Sequence, residues 1–347
     1  MSDAYARAGV DTDAADRAIG ALVGVLRTID TGRASRSVPL PGHYAAVLEV
    51  APNLGIAVGT DGVGSKLIVA ERTGRLDTVG IDCIAMNVND VVCVGAEPIA
   101  VVDYLAVERT DPHVFAAIAR GLKAGAEQAG VEIPGGEVAV LPELIRGHPS
   151  PGGFDLTAAC FGTVALDAIV TGAACAPGDV LIGLPSSGLH SNGYTLARRV
   201  LEPLGLDARP AQLGGASVAD VLLEPTVIYV RAVLELLRSD AEVRGLAHIT
   251  GGGLANLLRL NAGVGWAVEA PLPVPPVFEL IRAEGGVPEA ELWGVFNMGC
   301  GFVAVVPEAD ADAAVALLGA HHPGAARIGT VTGEAGAVGV PPLGVSL

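Results

Sequence analysis

Apolar positions recur at helical spacing over residues 13–29, where Ile19, Leu22, Val23 and Leu26 form one stripe and Asp13 is placed as an N-cap. A second amphipathic helix is predicted over residues 111–129, with Asp111 as cap and Pro112 at the first helical position. Further helices are expected over 81–94, 191–204, 226–238 and 308–318. Runs of β-branched and aliphatic residues predict strands at 55–60, 99–107, 156–166, 179–184, 265–268 and 301–306, with a short strand at the end. Residues 35–43, the segment around Gly135-Gly136 and a Pro-rich link after Val268 read as loops. Strands and helices alternate in both halves without a short-period repeat. The pattern predicts an α/β or α+β chain of two domains, 1–167 and 168–347, divided near Asp167 to Pro177.

Composition narrows the function class. Hydrophobic residues make up 51% of the 347, which gives a sizeable core and excludes a disordered chain. A net charge of −17 argues against a nucleic-acid partner, because such binding needs a broad basic face. It does not exclude a phosphorylated small molecule, which needs only a local cationic or N–H-rich pocket. Cys83, Cys93, Cys160, Cys175 and Cys300 form no Cys-x-x-Cys pair, so neither a zinc site nor a disulfide framework is expected. The first sixteen residues carry no apolar core, and the long uncharged run at 156–178 is broken by Asp167 and glycines. A soluble, cytoplasmic protein that does not enter a membrane is expected.

The chemistry concentrates in Asp61-Gly62-Val63-Gly64-Ser65-Lys66, which follows a strand-like run. Gly62 and Gly64 allow a tight turn whose N–H groups can meet an anion. Asp61 suits a divalent metal, and Lys66 supplies a point charge for phosphoryl oxygens. The chain has only two lysines, Lys66 and Lys123, which sets this one apart. The spacing is not that of a Walker A loop, and taken alone the hexapeptide is equally a solvated Asp-Gly turn. Three more segments set glycines beside polar side chains or acids, Gly135-Gly136-Glu137, Ser186 to Tyr194, and His248 to Gly253, and a fourth, Asn87 to Asp90, joins two asparagines to an acid.

Taken in order, these segments resemble the phosphoribosylformylglycinamidine cyclo-ligase, or AIR synthetase, family over nearly the whole length. The resemblance is carried by Ala8-Gly9-Val10-Asp11, Gly59-Thr60 leading into Asp61–Lys66, Gly80-Ile81-Asp82, Val88-Asn89-Asp90, Gly95-Ala96-Glu97-Pro98 and Asp103-Tyr104. In the second half it rests on Gly178-Asp179-Val180-Leu181-Ile182-Gly183, Ser186-Ser187-Gly188-Leu189-His190-Ser191-Asn192-Gly193-Tyr194, Ala247-His248-Ile249-Thr250-Gly251-Gly252-Gly253 and Phe296-Asn297-Met298-Gly299. It implies a two-domain AIR-synthetase-like subunit with a C-terminal α/β domain. Its N-terminal sheet would pair with that of a second copy into a shared barrel, making a homodimer. The implied reaction uses ATP and Mg²⁺ to activate the formamide oxygen of formylglycinamidine ribonucleotide, a small phosphorylated nucleotide, and close it to aminoimidazole ribonucleotide.

Carried over residue by residue, Asp61, Asp90 and Glu137 would bind the metal. Each could otherwise be an N-cap or a surface carboxylate. Gly62, Gly64, Ser65, Lys66, Asn89 and Gly136 would complete the ATP site, with Asn89 positioning its neighbours. Ser186, Ser187, Gly188, His190, Ser191 and Asn192 precede a predicted helix start and would hold the substrate phosphate. His248, Thr250, Gly251 and Gly252 would form a second anion loop. Lys66 and His190 are the catalytic candidates, though His190 equally fits an anion ligand or a helix cap. His43, His113, His148, His321 and His322 have no motif support and are expected at the surface.

The match fails in places, mostly in the first half. The family's usual Gly-Gly-Glu-Thr-Ala-Glu-Met-Pro becomes Gly135-Gly136-Glu137-Val138-Ala139-Val140-Leu141-Pro142, losing a hydroxyl and a carboxylate. A glycine-rich segment is replaced by Pro39-Leu40-Pro41-Gly42-His43-Tyr44-Ala45-Ala46, a glutamine by Val94, and a Gly-Lys pair by Glu108-Arg109. These changes leave two alternatives beside the cyclo-ligase: a paralogue acting on a different nucleotide-like substrate, or a non-catalytic nucleotide-binding homologue.

Overall fold

The computed structural model describes residues 12–347, so the motif at 8–11 lies outside the described residues, as does the side chain of Asp13 with its expected capping role. The first half holds β1 (Ser37–Val38), β2 (Ala46–Ala51), β3 (Leu54–Gly62), β4 (Glu97–Val107), β5 (Glu132–Val140) and β6 (Phe154–Val164). They form one sheet in the order β1-β2-β3-β6-β4-β5, antiparallel except for β4 beside β5. Its helices are α1 (Thr12–Leu26), α2 (Leu67–Thr73), α3 (Val79–Val92) and α4 (Pro112–Ala129).

The second half places β7 (Val180–Pro185), β8 (Gly245–His248), β9 (Gly265–Val268), β10 (Cys300–Val306), β11 (Ala326–Thr332), β12 (Val338–Val340) and β13 (Val345–Ser346) in a separate sheet. Its order is β13-β12-β9-β11-β7-β10-β8. α5 (Tyr194–Leu201), α6 (Val218–Leu222), α7 (Val230–Arg238), α8 (Pro276–Gly285), α9 (Glu289–Val295) and α10 (Ala311–His321) accompany it. The whole is a two-sheet α+β architecture.

Helix α3 decides where the site lies. It crosses the inner face of β3, β6 and β4 and also reaches β8 and α7 of the second half. It is seated closely on α4 because Gly80 lacks a side chain: a Cβ there would fall 2.2 Å from the Leu122 nitrogen. Val88, Val91 and Val92 are fully buried along it, so the polar residues on the same helix are held at fixed positions by packing. α4 begins as its sequence predicts, with the Asp111 carboxylate accepting the His113 N–H at 2.8 Å.

Three elements depart from the sequence reading. Gly135-Gly136 lies inside edge strand β5, because Gly136 lets the Asp103 carboxylate lie over its backbone, where a Cβ would come within 2.3 Å of Oδ1. α7 starts at Val230, because Thr226 N–H is taken by Asp82 and Tyr229 N–H by Asn89, which holds the preceding residues out of the helix. The Pro-rich link contains α8, which opens on Pro276. All five cysteines are free and buried. Among the described residues, no helix is long and apolar enough to cross a membrane.

Candidate active site between the two sheets

Strand register sorts the first-half residues onto two faces. Asp61, Ala158, Asp103 and Gly136 share one row across β3, β6, β4 and β5. The next row is Gly62, Thr157, Tyr104 and Glu137. Because side chains alternate along a strand, Asp61 and Asp103 face α3 while Glu137 faces the opposite side. Asn87 on α3 accepts the Asp61 N–H at 3.0 Å and donates to its carbonyl at 3.0 Å, which fixes the end of β3.

Asp90, in the last turn of α3, comes close to Asp61. Burial raises the Asp61 pKa above the ordinary carboxylate value, and the Asp90 charge pushes it further the same way. Burial also raises the pKa of Asp103. Asp90 retains 19% side-chain exposure, so a ligand can reach it. Its Oδ1 lies 2.9 Å from Nδ1 of fully buried His248. The Asn89 amide nitrogen lies 3.5 Å from the other ring nitrogen, Nε2. The Asn89 amide nitrogen can only donate there, so Nε2 is its acceptor and the Nδ1 proton is directed at Asp90.

The second-half loops close on this corner. The Asn192 Oδ1 lies 3.4 Å from where a Cβ on Gly251 would sit, so the loop around Ser186–Asn192 abuts the one around His248–Gly253. Thr250 is held through its N–H and hydroxyl by Asn256, at 2.7 and 3.2 Å. Ser186 donates to Asn297 at 2.9 Å, and Asn297 in turn donates to the Gly188 carbonyl at 2.8 Å. The Ser65 hydroxyl sits 3.5 Å from that of Thr195, on the first turn of α5. That helix begins at Tyr194 rather than at Ser191, with Gly193 in the left-handed conformation ahead of it.

Several residues stand apart from their expected roles. Lys66, expected on phosphate, is fully buried, and its ammonium donates to Asp82 at 2.9 Å, to the His190 carbonyl at 3.0 Å and to the Glu224 carbonyl at 2.6 Å. Burial lowers its pKa, with Asp82 opposing. Glu137 is exposed and accepts the N–H of Val138 next to it, so it does not join Asp61 and Asp90. Among the described residues, no three His, Cys, Asp or Glu side chains gather as a ready cage for an ion. Asn89 is buried and holds the Val227 carbonyl and the Tyr229 N–H, at 2.8 and 3.0 Å, which is the positioning role expected of it.

His190 adopts a positive φ of 61° and is 1% exposed. Its Nε2 accepts the Ser187 N–H at 3.3 Å, and its Nδ1 is buried without a protein partner. Burial pushes its pKa well below the ordinary value, and the neighbouring Lys66 charge acts in the same direction. It is a neutral imidazole with one unused donor.

His43, expected at the surface, instead sits at this corner. Its pKa is lowered to about 4 by burial and by Arg259. Arg259 lies 4.1 Å from the centroid of the Tyr44 ring and donates to the Gly42 and His43 carbonyls at 2.9 and 3.2 Å. The divergent segment at 39–46 is therefore clamped to the second half. Val94 is fully buried, while Glu108 accepts from Gly147, Ser150 and Gly153 and so ties down the loop before β6. Val138 and Val140 stand 45% and 50% exposed on the edge strand.

Asp61 and Asp90 fit a magnesium ion in one respect: they are two neighbouring hard-oxygen groups, one with its charged form disfavoured. Mg²⁺ takes one or two carboxylates and fills its remaining positions with water and phosphate oxygens. Glu137 does not fit the same ion within one chain. Asp103, Asp82 and Arg259 were missed as site residues. The first two lie in the Asp103-Tyr104 and Gly80-Ile81-Asp82 motifs, whereas nothing in the sequence near Arg259 points to Tyr44.

Residues 42–164 match the family described as "AIR synthase related protein, N-terminal domain", and residues 176–340 match "AIR synthase related protein, C-terminal domain". A relative from Thermococcus gammatolerans named phosphoribosylformylglycinamidine cyclo-ligase is 50% identical over 336 residues, covering 96% of each chain. One of the same name from Methanothermobacter thermautotrophicus is 49% identical over 331 residues, covering 94% of each. Among solved structures, "Crystal Structure of Hydrogenase Maturation Protein HypE in complex with ATP" aligns with a TM-score of 0.58 at 23% identity, over 89% of each chain. That last likeness is one of fold.

Proposed function

This chain belongs to the phosphoribosylformylglycinamidine cyclo-ligase family of AIR synthases, and from that membership we propose how its site works. It is an ATP-dependent ligase of purine biosynthesis that closes formylglycinamidine ribonucleotide to aminoimidazole ribonucleotide, releasing ADP and phosphate. In that reaction the formamide oxygen takes the γ-phosphoryl group, a substrate nitrogen attacks the activated carbon, and phosphate leaves. Such chemistry needs positioning and charge neutralisation more than covalent help from the protein.

The observation that carries the site assignment is the meeting of Asp61 and Asp90 with the Asn192 and Gly251 loops, joined through His248. In this reading Asp61 and Asp90 hold Mg²⁺, which neutralises phosphate charge when bound. His248 orients Asp90 by donating from Nδ1. Gly62, Gly64 and Ser65 line the nucleotide side. Ser186, Ser187, Gly188, Ser191 and Asn192, with Thr250, Gly251 and Gly252, line the ribonucleotide side. His190 offers its unused Nδ1 proton there as a donor to an anion.

The outer face of the first sheet supports a homodimer. Leu48, Ile56, Val58, Phe161, Val102 and Tyr104 lie on it, and Leu48 and Tyr104 are each 42% exposed in a single chain. A broad apolar sheet face left open to water is costly, and pairing with a second copy covers it. Glu137 lies on this same face and would meet the partner. We place the protein in the cytoplasm and divide it into domains 1–167 and 168–347, a division supported by the separate sheets ending at Val164 and beginning at Val180.

The decisive experiment supplies purified protein with ATP, Mg²⁺ and formylglycinamidine ribonucleotide. ADP and aminoimidazole ribonucleotide are expected in equal amounts. Nucleotide binding without either product would overturn the assignment.

A further inference from the structure

The ammonium of Lys66 has three protons, and all three are spent inside the protein. One goes to Asp82 at the start of α3, and the other two go to the carbonyls of His190 and Glu224. Asp82 repeats the connection from its side: the Oδ1 bonded to Lys66 also accepts the Thr226 N–H at 2.8 Å and the Thr226 hydroxyl at 2.7 Å. From Thr226 the chain of contacts continues to the Ser191 hydroxyl at 3.1 Å, while Ser187 donates to the Pro225 carbonyl at 2.6 Å. Thus one buried ion pair, with both side chains at 0% exposure, holds the His190–Ser191 end of the loop, and it also holds Glu224 and Thr226, which flank the Pro225 carbonyl that anchors the Ser187 end.

A buried ion pair contributes little to stability for its desolvation cost, since apolar residues of similar volume commonly serve as well. What it supplies is direction: carbonyls and hydroxyls are drawn to one point. Lys66 also ends the short turn that leaves the Asp61 strand, so the metal-side carboxylate and the loop beneath the ribonucleotide are tied through a single side chain.

We propose that Lys66 and Asp82 are positioning residues that set the Ser187–Ser191 loop against the Asp61 strand, and that Lys66 never contacts the nucleotide. The proposal rests on the reading that this loop binds the ribonucleotide.

The test compares wild type with Lys66→Met, with Lys66→Met combined with Asp82→Leu, and with Thr226→Val. The double variant replaces the whole buried pair by apolar groups and so leaves no orphaned charge. Thr226→Val keeps the pair and removes the hydroxyl that bridges Asp82 Oδ1 and Ser191. Three quantities are read: ATP affinity by calorimetry, KM for formylglycinamidine ribonucleotide, and melting temperature. Expected in the folded double variant is an ATP affinity within about twofold of wild type and a ribonucleotide KM raised about tenfold or more, with Thr226→Val showing a smaller rise of about threefold. Restored melting temperature with KM still high marks positioning.

Loss of ATP affinity would put Lys66 on the nucleotide after all. A normal KM in the double variant, or in Thr226→Val should the others not fold, would reduce the network to a structural pair. Failure of the underlying reading is distinguishable by Asn192→Ala, which leaves the Lys66 network intact: an unchanged ribonucleotide KM there would show that this loop region does not bind the substrate.

Discussion

His248 Nδ1 lies 2.9 Å from Asp90 Oδ1, joining the last residue of β8 to the last turn of α3. The imidazole has no exposure and its other nitrogen faces Asn89, so its proton has one destination. His248→Ala leaves Asp90 free to turn and takes a partner from the Asn89 amide. Turnover is expected to fall about 10- to 100-fold, with a higher magnesium concentration needed for half-maximal rate. Steady-state rates over a magnesium titration check this. An unchanged magnesium requirement would remove Asp90 from the metal site.

Asp61→Asn deletes a charge and keeps the shape. The carboxamide oxygen can still accept the Gly62 N–H, now 2.7 Å from Oδ1. Because burial and Asp90 disfavour the ionised Asp61, neutralising it should leave the melting temperature unchanged or higher. ADP release should drop by about 100-fold or more, since the lost charge is the one offered to the metal that would neutralise the phosphates. Wild-type turnover would sink the role given to Asp61.

Acid stability follows from buried neutral imidazoles. His43 and His322 are both held to about 4, chiefly by burial, against an ordinary value of 6.5. Between these limits the unfolded chain binds protons that the folded chain refuses, so stability rises with pH and is lost as pH falls from about 6.5 to about 4. Asp61 and Asp103, whose pKa values are raised, oppose this by taking up protons sooner in the folded state. His43→Gln should flatten the dependence of melting temperature on pH across that window. An unaltered slope would show that His43 is not kept neutral.

Gly301 sits against His190 of the Ser186–Asn192 loop and against Tyr229, which precedes α7. A Cβ there would meet the Tyr229 hydroxyl at 2.0 Å and His190 Cε1 at 2.5 Å. Gly301→Ala must displace both rings in a packed interior, at a cost of about 1–3 kcal/mol in stability. Calorimetric unfolding measures the loss, and ribonucleotide KM should rise in parallel because His190 has moved. A normal KM in the destabilised variant would separate His190 from substrate binding.

Placing a charge on the outer sheet face tests the dimer. Leu48→Lys puts an ammonium in the row shared with Ile56, where a partner sheet would have to desolvate it. Sedimentation should report the mass of one chain where wild type gives two. A wild-type monomer would refute the shared barrel.

Much of this molecule was legible before any coordinates. α4 follows from its Asp-Pro start and apolar stripe, and β3, β4, β7 and β10 from β-branched and aliphatic runs, because these signals are local and the fold obeys them. The departures are equally specific. The 226–229 segment has helical wording but is pulled straight by Asp82 and Asn89, residues some 140 positions away in the chain. Gly135-Gly136 reads as a break, yet in the sheet it makes room for Asp103.

The sequence by itself determined which groups are present: a lone lysine beside an Asp-Gly turn, acids in fixed motifs, and two Gly-rich loops, enough to mark the family and its chemistry. Only the tertiary structure decided which of them meet. Strand alternation turned Glu137 away from Asp61, although both carry the same charge and both lie in glycine motifs. Packing shut Lys66 away from solvent, so its ammonium is satisfied by Asp82 and two carbonyls, and it brought the Tyr44 ring under Arg259. Residue type sets what a group can bond, but the direction of a side chain comes from register and burial, and both are properties of segments far apart in the chain.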